Sequence, residues 1–247
     1  MHLIVDIGNS RTKLVAFDEG CPADECIAEG CDLSGLAAFT AKHPFDAAIL
    51  SSTVNLTDEA ERQLGALPCP LLRFSPATTA TPLRNLYHTP QTLGSDRLAA
   101  AVGAWTLKPG RNLLIIDAGS CITFDVVTAD GAYLGGNISP GLHARLRAID
   151  DYFPRLPLVE AEGDVPELGY DTQTAIRAGV IQGMRHEIEG YIHHFNVKYA
   201  DLLVFLTGGD QFNLDNTIKS ATFADPFVVP RGLDAILSYH LAREVDN

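Results

Sequence analysis

The stretch MHLIVDIGNSRTKLVAFDEG, residues 1–20, decides the fold, because NLLIIDAGSCITFDVVTADG, residues 112–131, repeats its design. Each begins with an apolar run that ends in an aspartate, Leu3 to Asp6 and Leu113 to Asp117. Each turns through a glycine, at Gly8-Asn9 and at Gly119-Ser120, and resumes as a second strand, Thr12 to Phe17 and Ile122 to Val127. A further turn follows at Asp18-Glu19-Gly20 and at Asp130-Gly131. Apolar runs bounded by Gly, Asn and Asp read as hairpin strands. At an offset of 111 residues and without gaps, Asp6 falls on Asp117, Gly8 on Gly119, Asn9 on Ser120, Thr12 on Thr123 and Gly20 on Gly131. Self-similarity at this distance exceeds any solenoid period and reads as a duplicated domain. The competing reading is chance, since Asp-x-Gly turns are common. Agreement of strand, acid, glycine and second turn in one register argues against it.

Between and after the hairpins, strands alternate with helices. Ala47 to Ser51, Leu71 to Phe74 and Leu202 to Leu206 read as strands. Asp58 to Leu67, Arg97 to Trp105, His143 to Ile149, Thr172 to Tyr199 and Arg231 to Arg243 read as helices, with Ser95 a candidate cap for the second. Hairpins mixed with strand–helix alternation imply an α/β class with mixed sheets. The expected boundary lies near Pro109-Gly110, giving domains 1–110 and 111–247. Whether the last helix crosses back onto the first domain is left open by the sequence.

Composition narrows the function. The 247 residues are 46% hydrophobic and 20% charged, a globular balance, and are enough to bury a sizeable core. A net charge of −13 is repelled by phosphate backbones and anionic bilayers, so neither nucleic acid nor membrane is an expected partner. An anionic substrate then needs a local positive site or a metal ion. The five cysteines are odd in number and lack the paired spacing of zinc sites, so they read as thiols in a reducing compartment. The start runs straight into a strand, and no apolar run is long enough to span a bilayer. A cytoplasmic protein is expected.

The chemistry sits in the turns. In Asp6-Ile7-Gly8-Asn9-Ser10, glycine lets backbone N–H groups approach a phosphate, and Asn tolerates the left-handed backbone of such turns. Asp6 at the strand end suits Mg²⁺, which prefers a few carboxylates with waters and phosphate oxygens. Ser10, Arg11, Thr12 and Lys13 add hydroxyl and cationic groups for the ATP tail. Asp117-Ala118-Gly119-Ser120 is a second such turn, and Thr207-Gly208-Gly209 a third element, where a glycine pair after a strand admits a base and ribose. Each alone reads equally as an ordinary turn. Two acid-bearing hairpins facing each other would cradle a polyphosphate and its metal. No G-x-x-x-x-G-K-[ST] loop occurs, which disfavours a Walker-type kinase. In order, the three elements resemble the phosphate-1, phosphate-2 and adenosine motifs of the acetate kinase, sugar kinase, Hsp70 and actin superfamily.

Gly94-Ser95-Asp96-Arg97 speaks to the acceptor substrate. Arg97 offers a planar fork for a carboxylate or amide oxygen. Asp96 can take the proton from a substrate hydroxyl as it attacks the γ-phosphate. The bland alternative is an acid at a helix N-terminus with a surface ion pair. Tyr87 lies upstream at a distance that lets it line the same pocket.

Asn85-Leu86-Tyr87 with Leu93-Gly94-Ser95-Asp96-Arg97 resembles the substrate segment of type III pantothenate kinases. Asp6 to Ser10 with Lys13, Ile116 to Thr123, Gly135 to Gly141 and Thr207-Gly208-Gly209 match that family in order, over the whole chain. The resemblance implies two RNase H-like domains with mixed five-stranded sheets flanked by helices, the actin-like ATPase duplication. It implies ATP-dependent phosphorylation of pantothenate, the first step of coenzyme A synthesis, with Asp96 as general base. Pantothenate contacts are implied for Tyr87, Gly94, Ser95, Asp96, Arg97 and Thr172. ATP contacts are implied for Asp6, Ile7, Gly8, Asn9, Ser10, Arg11, Thr12, Lys13 and Ser120, and a monovalent cation, K⁺ or NH₄⁺, for Asp117. A homodimer is implied, with Thr172 reaching the pocket of one chain or the other. Ser120 stands where the family usually has Thr and keeps the hydroxyl. Tyr170-Asp171-Thr172 departs from the family's usual Gly/Asn-rich run. His193-His194 and the acidic stretch from Glu160 to Glu167 read as surface. Two rivals stand beside the kinase: a sugar or small-acid kinase of the superfamily, and a nucleotide-binding regulator without phosphoryl transfer.

Overall fold

The computed structural model describes residues 1–209 and 222–245, which fold as two units. The first unit comprises Met1–Arg111, Val127–Gly135 and Pro226–Asn247; the second comprises Asn112–Val126 and Gly136–Asp225. Two stretches therefore lie outside the expected 1–110 and 111–247 division: a hairpin segment at 127–135, and the last helix, which belongs to the first unit.

In the first unit, β1 (His2–Ile7), β2 (Arg11–Asp18) and β3 (Cys21–Glu29) form an antiparallel meander. Helix α1 (Leu36–Lys42) leads to β4 (Ala47–Ser52), which pairs parallel to β1, and α2 (Asp58–Gly65) leads to β5 (Leu71–Arg73), which pairs parallel to β4. The sheet order is β3-β2-β1-β4-β5. Leu3, Ile4, Val5 and Ile7 are all fully buried, as a central strand covered on both faces requires. With the two-residue alternation of a strand, Leu3, Val5 and Ile7 join Leu36, Phe39, Ala60 and Leu64 of α1 and α2 in one core cluster. Asp6 has the opposite parity. Its face is that of α3 (Ser95–Leu107) and α6 (Val228–Val245), which pack on β4. These two helices approach backbone to backbone: a Cβ on Gly103 would fall 2.0 Å from the Val228 carbonyl oxygen, and one on Gly232 1.7 Å from that of Ala99. Pro230 sits in the first turn of α6, where its missing N–H breaks no helical bond. Before α3 come β6 (Arg84–Asn85) and a 3₁₀ turn, Pro90–Thr92.

The second unit repeats the plan. Strands β7 (Leu113–Ala118), β8 (Cys121–Val127) and β9 (Ala132–Pro140) are followed by α4 (Leu142–Tyr152), α5 (Thr172–Lys198), β10 (Leu203–Thr207) and β11 (Thr222–Ala224). The strand order is β11-β10-β7-β8-β9, and β10 runs parallel to β7 as β4 does to β1; the start of β9, Ala132 and Tyr133, lies in the first unit and pairs there with the short β6. Strand β9 begins 111 residues after β3, and the turns before them carry Gly20 and Gly131 at φ 76° and 77°. Leu114, Ile116 and Ala118 face a core built with Leu142, Leu146, Val180, Ile181, Met184 and Ile188 of α4 and α5. Asp117 has the other parity, as Asp6 has. The duplication read from the sequence is thus repeated in strand order, pairing sense and turn geometry.

Candidate active site

In the first unit, Asp6 closes β1 opposite Lys13 on β2 and opposite Ser51 on β4. Strand alternation puts all three on the α3 face. Asp6 is partly buried, and its carboxyl is pushed up from the ordinary value near 3.8 to about 6. Desolvation is the largest cause and the negative charge of Asp96 the next; Lys13 and a hydrogen bond from Ser51 pull the other way without compensating. Asp6 and Asp96, 90 residues apart in sequence, therefore lie within electrostatic reach of each other.

Asp96 is held at the first turn of α3, where the helix dipole favours an anion. Its Oδ1 accepts the Arg97 backbone N–H at 2.8 Å. A Cβ on residue 94 would fall 2.5 Å from that same oxygen, so Gly94 leaves the carboxyl room to fold back over the helix start. Arg97 is 6% exposed, and its guanidinium carbon lies 5.7 Å from the centre of the Tyr87 ring. The same ring also rests on Gly135, whose φ of 99° and missing Cβ both matter: a Cβ there would come 2.9 Å from Tyr87 Cδ2. Buried Tyr133 adds a second ring 6.4 Å away. A carboxyl, a guanidinium and a phenol ring thus share one end of the first unit with Asp6.

The structure places the other residues of the first hairpin as follows. Gly8 N–H donates to Arg11 O at 2.9 Å to close the turn, and Asn9, Ser10 and Arg11 are exposed at its tip. Ile7 is fully buried, so only its main chain faces the turn. Thr12 is 1% exposed and its hydroxyl donates to Gly30 O at 2.6 Å, which ties the hairpin to β3 instead of offering a hydroxyl to a nucleotide. Ser95 also differs from expectation. Gly94, not Ser95, is the residue that precedes the helix, and the Ser95 side chain points inward to Ser51 Oγ at 2.9 Å.

In the second unit, Gly119 N–H donates to Cys121 O at 2.9 Å, and Ser120 is exposed on the turn. Two glycines press on this turn. A Cβ on Gly141, before α4, would fall 2.1 Å from Gly119 O, and one on Gly208, at φ 103°, 2.2 Å from Ala118 O. Thr207 pairs with Asp117 in register. The third sequence element thus lies beside the second hairpin, as expected of elements that share a ligand. Thr172 is exposed as the first residue of α5, which begins with a capping box between Asp171 and Thr174.

Sequence reading gave Ser51 no role beyond its strand and Gly135 none beyond its place in the matched 135–141 segment. A serine at a strand end carries no signal by itself; the Gly135-Gly136 pair after an apolar run was a signal for close approach that had no role attached to it. Among the described residues no three His, Cys, Asp or Glu side chains converge as a metal cage. A desolvated carboxyl facing a second one still fits a hard divalent cation whose remaining ligands are phosphate oxygens and water.

The family model described as type III pantothenate kinase matches residues 2–194. A curated type III pantothenate kinase of Phocaeicola vulgatus is 49% identical over 240 residues, covering 97% of this chain and 99% of that one. Two solved structures share the fold. One is a conserved Campylobacter jejuni protein assigned to the Baf family of transcriptional activators (TM-score 0.62, 23% identity, 97% and 99% covered). The other is the activator of the 2-hydroxyisocaproyl-CoA dehydratase from Clostridium difficile with bound ADPNP (TM-score 0.57, 11% identity, 99% and 96% covered). With a family model over residues 2–194 and a relative at 49% identity along nearly the full length of both chains, this chain belongs to the type III pantothenate kinase family.

Proposed function

We infer that this protein is an ATP-dependent pantothenate kinase, which moves the γ-phosphoryl group of ATP to the terminal hydroxyl of pantothenate. The observation that carries the reading is the pairing of Asp96 with Asp6 beside the Arg97–Tyr87 stack in the first unit. Arg97 recognises the pantothenate carboxylate or amide oxygen, and Tyr87 packs against its carbon chain. Asp96 accepts the hydroxyl proton as the oxygen attacks in line. Main-chain N–H groups at Asn9 and Ser10, on the tip of the turn that Gly8 closes, bind phosphate oxygens with Lys13; Ser120 does so on its own hairpin. Asp6 holds Mg²⁺, which when bound offsets phosphate charge. Asp117 takes a monovalent cation, K⁺ or NH₄⁺. The active form is a homodimer in a cytoplasmic setting; exposed Leu168 and Tyr170, just before α5, support a further contact surface. Among the described residues no helix is long and apolar enough to cross a membrane.

Coupled detection of ADP with and without pantothenate, together with mass analysis of the product, tests the reading. Pantothenate-dependent ADP and a 4′-phosphorylated product are expected. ADP formed only with a sugar or another small acid would favour the sibling kinase reading, and nucleotide binding with no ADP at all the regulator.

A further inference from the structure

Two buried hydroxyls in the first unit have no part in the phosphoryl transfer proposed above. Ser51, on β4, is 0% exposed, and Ser95, which opens α3, is 6% exposed. Their Oγ atoms are 2.9 Å apart. Ser51 is also the register partner of Asp6 across the parallel β1–β4 pair, on the same face of the sheet, and its hydroxyl is one of the groups that pull the Asp6 carboxyl back down. An ionised carboxylate only accepts, so a hydroxyl on its face turns its hydrogen that way, which leaves Ser95 to donate to Ser51. The other acceptor near Ser95 Oγ, the Ser52 carbonyl, is 3.5 Å away, at the outer limit of a hydrogen bond. A buried pair of hydroxyls therefore stands between the first turn of α3 and the Asp6 carboxyl near the end of β1. Asp96 is the next residue along α3, and its own orientation is fixed by the Arg97 N–H and by Gly94.

We propose that Ser51 and Ser95 are positioning residues: their linked hydroxyls set the separation between the Asp96 carboxyl and the Asp6 carboxyl, and so between the acceptor alcohol and the phosphates. This rests on the kinase reading above. It reassigns Ser95 from substrate contact to support, and gives Ser51 a role where none was expected. Neither side chain touches the reacting atoms. Their effect is on alignment, where a displacement of about 1 Å changes rate by roughly a hundredfold.

The test is a double-mutant cycle with Ser51→Ala and Ser95→Ala, read as kcat, both KM values and the thermal midpoint. Each single variant is expected to lose about tenfold in kcat, with KM for ATP and for pantothenate moving less than about threefold. The double variant is expected to be no slower than the worse single one, because both break the same link. Ser95→Thr, which returns a hydroxyl, is expected to recover most of the rate. Losses that multiply, a folded Ser95→Ala with normal kcat, or a change confined to pantothenate KM would each overturn the proposal; the last would return Ser95 to substrate binding. If Ser51→Ala fails to fold, Ser95→Ala and Ser95→Thr decide. The wild-type protein is assayed first: no pantothenate-dependent ADP would sink the kinase reading and this proposal with it, before any variant is compared.

Discussion

Replacing Asp6 by Asn should make the ligand-free protein more stable while removing its activity. Asp6 is ionised at neutral pH against a folded-state value of about 6, raised from 3.8. A rise of that size corresponds to about 3 kcal/mol of differential free energy between the two protonation states. The sign follows from proton binding: the folded state holds this proton more tightly than the unfolded state does, so the penalty is full above about pH 6 and fades as pH falls toward 3.8. Asn keeps the shape and can still accept from Ser51, yet carries no charge to desolvate and none to repel Asp96. Because Asp6 keeps some solvent contact, the whole of that energy is a ceiling. For a chain of this size a gain of about 2–3 kcal/mol raises the thermal midpoint by roughly 4–12 °C. The assay is urea and thermal unfolding of both proteins in chelator-treated buffer from pH 4 to 8. The difference between them cancels the other carboxylates, whose titration both proteins share. It should be largest above pH 7 and vanish near pH 4. A neutral or destabilising effect of Asn at pH 7.5 would refute the idea that the carboxyl is held in the fold against its preference. Mg²⁺ with ATP should stabilise the wild type more than the variant.

Asp96→Asn should lower kcat by about 10²–10⁴ with both KM values largely kept, and near-normal turnover would remove Asp96 from the base role. Gly135→Ala should strain the backbone by about 1–3 kcal/mol and push the Tyr87 ring off Arg97; pantothenate KM should rise about tenfold while ATP KM stays. Asp117→Asn should erase the rate difference between potassium and sodium buffers, measured as steady-state ADP release, and a retained difference would place the monovalent ion elsewhere.

The duplication was legible because strand and turn signals are local: the Asp-x-Gly turns, the following strands and the second glycine each sit within a few residues of one another. Ends of helices were less so. Helix α3 starts at Ser95 and not at Arg97, since the hydroxyl that reads as a cap is drawn to Ser51 across the unit. Strand β3 escaped notice because its exposed and half-buried residues alternate along the sheet edge with little apolar signal. Asp96 and Asp6 were each named from the sequence, yet their mutual approach depends on β1, β4 and α3 packing together, which no local pattern encodes. Ile7 and Thr12 were included by their place in the motif, whereas strand parity turns both inward. Expected residues Thr207, Gly208 and Gly209 fall at the end of the described stretch, and residues 210–221 lie outside it.

The return of α6 to the first unit has a consequence for biosynthesis. Val228, Leu233, Ile236 and Leu237 are at most 1% exposed, so the α3 side of the first sheet lacks its cover until the last twenty or so residues are available. The ribosome delivers the whole second unit before then. The inserted half can mature while the half that was made first is still waiting, and a nascent chain stopped before Pro226 would carry an open apolar face for chaperones to bind.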